Sequence, residues 1–208
     1  MSIAIIIILF VIIYIIHKNK KVRKQIERQK QNELEDKKQK QEIVRDNFKK
    51  IFPEVDEKFS YLMNTVGKDE NMSLYRTEAS KIFNEILKLF LTIIEADKRL
   101  DSLNNLRKNL LNSIDNNNIN KRVLEGNEKS KELIVQINKE SNDLKKYIAN
   151  AKEEIKASSI DFMNTAAEIE LSKSSGKLIE LSKLQTRCKN LSYLTEHMPL
   201  SSDLQNKD

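Results

Sequence analysis

Three glycines and two prolines serve a chain of 208 residues. Sandwiches, barrels and βαβ folds reverse direction every few residues and lean on Gly and Pro to do so. A chain this poor in both is confined to long helices joined by few turns. Its single cysteine excludes a disulfide framework and a multi-cysteine zinc site. Charged residues make up 33% of the chain, and Asn, Lys, Ile, Leu and Ser dominate, as in long-helix and coiled-coil proteins. The expected fold class is all-α: a single N-terminal transmembrane helix, a polar helical stalk, and an elongated antiparallel coiled-coil or helix bundle.

Charge is distributed unevenly along that layout. Residues 1–16 carry no charged side chain, residues 17–50 hold 13 basic against 6 acidic residues, and the rest is nearly neutral. The basic balance therefore belongs to one short segment, which argues against a broad nucleic-acid-binding surface.

Ile3 to Ile16 is an unbroken apolar run with nine isoleucines. As a helix, residues 1–16 span roughly 24 Å against a hydrocarbon core of about 30 Å, a short span that His17 and Lys18 can extend by reaching the headgroups. No basic segment precedes the run and no small-residue cleavage site follows it, so it does not read as a signal peptide. Nor does a cysteine close it, as a bacterial lipoprotein requires; the only thiol is Cys188. Residues 1–17 are expected to be a retained membrane anchor, with Ile3, Ile5, Ile8, Phe10, Ile12, Tyr14 and Ile16 in lipid. Lys18, Lys20, Lys21, Arg23 and Lys24 follow at once. By the positive-inside rule they place the N-terminus outside and the remainder in the cytoplasm, and they attract anionic headgroups. The expected location is the cell membrane, crossed once, with lipid contact through residues 1–24.

Residues 18–52 read as a basic, polar helical stalk. Between Glu27 and Glu42 the only apolar residue is Leu34, so the segment is a solvated rod and not a tight coiled coil. Pro53 ends it, because proline moves its predecessor out of the α region. Residues 54–198 read as the bundle: a short helix to Val66, a break over 67–71, a long helix from Ser73 to Ile114, an Asn-rich turn at 115–118, a very long helix from 120 to 171, a break at 172–176, and a last helix from 177 to 197. Residues 199–208 are expected to be a disordered tail.

Alternating steps of three and four mark a stripe in the fourth helix at Ile134, Ile137, Ser141, Leu144, Ile148, Ala151, Ile155, Ser158, Phe162, Thr165 and Ile169. Leu181, Leu184, Cys188 and Leu191 continue the habit in the fifth helix, and Leu100, Leu103, Leu106, Leu110 and Ile114 supply it in the third. One window departs from this economy: Ile82 to Ile94 holds nine apolar residues in thirteen. It reads either as the best-buried part of the bundle or as a face for a partner or second protomer, through Phe83, Leu87, Phe90, Leu91 and Ile94.

Catalytic chemistry finds no footing. Gly67, Gly126 and Gly176 stand alone, so there is no phosphate cradle; His17 and His197 are too far apart for a helical metal pair; and Cys188 sits on an apolar stripe. No catalytic residue, metal site or cofactor is expected. No motif carries a family resemblance; the layout of one span and a helical bundle resembles LemA-type proteins, which implies nothing about function. The expected role is a non-catalytic tether or scaffold at the membrane, binding an unidentified protein or a second copy of itself. The alternative is a bundle that binds or remodels anionic lipid surfaces. No nucleic-acid partner is expected.

Overall fold

The computed structural model describes residues 30–36, 38–68, 70–116, 121–175 and 181–199. Among them there are five helices and no strand, a helical bundle as the scarcity of turn residues requires. The first helix, α1, covers residues 30–36 and 38–51. The others are α2 (Pro53–Val66), α3 (Ser73–Asn116), α4 (Lys121–Ser175) and α5 (Ser182–Glu196), with a 3₁₀ turn at Glu70–Met72 before α3. The chain divides into two compact units between Asn47 and Phe48. The apolar run Ile3–Ile16 and its basic flank at Lys18–Lys24 lie outside the described residues. Among those that are described, no helix is long and apolar enough to cross a membrane.

In the first unit, α1 exposes Leu34 and Ile43, and Val44 beside them is half-buried. A helix without an apolar stripe has no face to bury.

The second unit begins at Phe48. Pro53 occupies the first turn of α2, where its missing N–H costs nothing, and Glu54 and Asp56 sit at the positive end of the helix dipole. α2 stops at Gly67, whose φ of 61° and ψ of −150° only glycine adopts without strain. Arg76 of α3 donates a hydrogen bond from Nη2 to the Gly67 carbonyl, fastening the end of α2 to the start of α3.

Interhelical rungs fix the directions. Phe52 meets Phe90 and Phe59 meets Phe83, so α2 runs against α3. Phe59 also meets Phe162, and Arg99 meets Glu140, so α3 runs against α4. Lys183 pairs with Glu168, Arg187 with Asp161 and Glu154, and Tyr147 with the Leu194 carbonyl, so α5 returns against α4. α2 and α5 each pack on both long helices.

Aromatic rings hold the centre. Phe48, Phe52, Phe59, Phe83, Phe90 and Phe162 form one cluster of stacked and edge-on pairs with centroids 4.0–6.1 Å apart. Each such pair contributes about 0.5–1.5 kcal/mol beyond its buried area. Ala79, Ala96, Ala151 and Ala166 are fully buried and let backbones approach. Ser158 and Ser159 occupy core slots of α4 at little cost, because each hydroxyl donates to a carbonyl of its own helix, Glu154 and Lys156. Neither they nor Gly126 interrupt α4.

Helix length decides where the four-helix packing ends. α3 has 44 residues and α4 has 55, whereas α2 has 14 and α5 has 15. At 1.5 Å per residue, the short helices cover only about 21–23 Å of partners that run to about 66–83 Å. Beyond Leu103 in α3 and before Ile137 in α4, no described side chain is buried. That portion of the α3–α4 hairpin is an arm of two helices. The packed part is its base.

Candidate interaction surface

The window 82–94 divides between core and surface. Ile82, Phe83, Ile86, Leu89, Phe90 and Ile93 are buried. Phe83 and Phe90 belong to the aromatic cluster and are not available to a partner. Leu87 and Ile94 are half-buried, and Leu91 is 46% exposed. These three lie at i, i+4 and i+7 and so share one side of α3. The candidate partner face thus contracts from five residues to a narrow edge.

Exposed aliphatic residues also lie on the arm. Leu106 and Leu111 are 40% and 41% exposed, and Val135 is 68% exposed. Leu110, Ile114, Leu133 and Ile134 are half-buried. The stripe Leu100–Ile114 has core periodicity, yet only Leu103 in it is buried, because neither α2 nor α5 reaches far enough to cover the rest. Arg107, Lys108, Lys129 and Lys131 alternate there with Glu128 and Glu132, and all six are exposed.

At the foot of the arm is a polar rung. Arg99 donates from Nε to Oε1 of Glu140 at 2.5 Å, and its Nη2 pairs with the same oxygen at 2.5 Å. Glu140 is 7% exposed and its neighbour Ser141 6%; Glu140 Oε2 and Ser141 Oγ are buried with no hydrogen-bond partner among the described residues.

The seam between α4 and α5 is polar and open. Arg187 bridges Asp161 (2.5 Å) and Glu154. Burial works against its charge, but Asp161 and Glu154 together outweigh it and hold the guanidinium above its ordinary range. Shallow grooves flank the bridge, one lined by Asn150, Glu153 and Tyr193, the other by Ser182, Lys183 and Thr186. Tyr147 closes the seam, its hydroxyl donating to the Leu194 carbonyl at 2.8 Å. Burial pushes that phenol up to about 12.

No family model matches the chain, and no curated protein or solved structure does. What these surfaces can do rests on their own chemistry. Cys188 is half-buried; burial first, then Glu85 and Glu78 on α3, raise its thiol above the ordinary value, so it is protonated at neutral pH and not an activated nucleophile. His197 donates from Nδ1 to the Tyr193 carbonyl (2.8 Å) and stacks on the Tyr193 ring, a placement that serves the C-terminus of α5. Among the described residues no group of three potential ligands could hold a metal ion.

The Arg99–Glu140 rung and the Arg187 bridge escape a reading by hydrophobic period, because charged residues are assigned to solvent by default. A weak signal exists for both. Glu140 directly precedes a stripe residue, and Arg187 falls between Leu184 and Leu191 on the buried side of α5.

Proposed function

We propose that the chain is a single-pass membrane-anchored, non-catalytic coiled-coil scaffold, its bundle in the cytoplasm and its docking element the α3–α4 arm. The observation that carries this reading is the contrast between base and arm. The base buries an apolar or small residue at nearly every turn, while in the arm no described side chain is buried and Leu106, Leu111 and Val135 are exposed. A helical hairpin with uncovered aliphatic residues between interspersed charges is the kind of surface that receives an amphipathic helix. The anchor comes from the sequence, through the run Ile3–Ile16 and the five basic residues that follow it.

The reading is tested in the native host by a C-terminal reporter scored on both sides of the membrane, combined with proximity labelling from the bundle. Cytoplasmic activity in the membrane fraction, with a reproducible set of labelled proteins, is the expected result. Reporter activity only outside, or a chain trimmed near residue 17 and recovered free of membranes, overturns it. Binding of the full chain to anionic vesicles through the bundle, with no labelled protein, would replace the scaffold with a lipid-binding role.

A further inference from the structure

We infer that the Arg99–Glu140 rung is a joint, above which the α3–α4 arm opens as a unit while the base stays folded. Three observations converge on it. The first is position: the rung lies between the last closely packed turns of the base, at Ile93, Ala96 and Leu144, and the last buried pair of the hairpin, Leu103 and Ile137.

The second is incomplete satisfaction. Arg99 Nε and Nη2 both approach one carboxylate oxygen, while the other oxygen and the Ser141 hydroxyl are buried without a partner among the described residues. A buried ion pair of this kind gains little over an apolar pair of the same volume, and a half-satisfied polar layer is worse than either. Stability alone does not account for it. A polar layer in an apolar seam interrupts the continuous packing by which one turn stabilises the next, and it pins the register of the two helices that cross it.

The third is the absence of cover. Beyond Leu103 and before Ile137 no described side chain is buried, and a pair of short helices with a narrow seam is marginal by itself. Cooperative units end where buried contacts thin out, and elements that move on binding come from the least stable units. The joint stands whether or not the chain is anchored; where the scaffold reading holds, it supplies that scaffold with its moving part.

Hydrogen exchange on the full chain in mild detergent, resolved by peptide, tests it. Amides of 104–116 and 128–136 are expected to exchange as one block, about 100-fold faster than those of 82–96 and 144–166, with a step at the rung. The double variant R99M/E140L is expected to slow the arm about tenfold by making the seam continuous. A smooth gradient rising toward the hairpin turn, equal rates in arm and base, or an arm unchanged or faster in the double variant overturns the joint. If that variant loses its helical signal, Ser141→Ala replaces it. Removing one orphaned hydroxyl should then slow the arm about threefold, and no slowing counts against the inference.

Discussion

Phe162 and Ile160 are two residues apart on α4 and face opposite ways. The first is fully buried against Phe59, the second 62% exposed. Truncating Phe162 to alanine removes a fully buried ring that packs on Phe59 and leaves a cavity beside it. Phe162→Ala should cost about 3–5 kcal/mol in urea unfolding, whereas Ile160→Ala should stay within about 0.5 kcal/mol. Tyr147 makes a different kind of contribution. Its phenol ionises near 10 in an unfolded chain and is pushed up to about 12 by burial in the bundle. The folded state therefore holds its proton more tightly. The associated stability is intact below pH 10 and is lost as pH rises through 12. Tyr147→Phe should flatten the fall in stability between pH 10 and 12, and ultraviolet titration should lose its highest-pH phenol. At neutral pH the same variant should cost about 0.5–1.5 kcal/mol for the bond to the Leu194 carbonyl.

Elements depend on their ends as much as on their faces. At Gly67 an added Cβ would meet only the Asn64 carbonyl, at an ordinary 3.8 Å, so space is not the obstacle to a side chain there. The obstacle is a backbone conformation that L-residues rarely adopt. Gly67→Ala should destabilise the protein by about 1–3 kcal/mol, seen as a shifted urea midpoint with an unchanged slope. That turn was legible in the sequence, as was the start of α3 at Ser73, because glycine and a polar run leave few other readings. Of the eleven stripe positions in α4, all but Ile134 are buried. The same period in α3 misleads from Leu106 onward. Periodicity reports which side of a helix is apolar; burial also needs a neighbour long enough to cover it, and that depends on where other helices stop. α4 also runs on to Ser175, past the break expected from 172. Ser and Lys do not forbid helix, so composition alone places the end of α4 too early.

At the scale of the whole molecule, the unequal helix lengths divide one chain into a part that folds and a part that reaches out. If that division holds, the arm can be shortened without weakening the base. The Arg99–Glu140 rung sets residues 104–110 of α3 opposite 129–135 of α4, since each pair sums to the same number as the rung. Excising both heptads removes two turns from each helix and returns the remainder nearly in phase. None of the removed side chains is buried. Stability of the base should change by less than about 1 kcal/mol in urea unfolding, because its aromatic cluster and its seams with α2 and α5 are left intact. Proximity labelling of the shortened chain then separates two roles for the arm. A reduced set of labelled proteins at unchanged stability identifies the arm as the docking element. A loss of stability comparable to Phe162→Ala would mean instead that the arm belongs to the cooperative fold and that its exposed leucines serve the bundle.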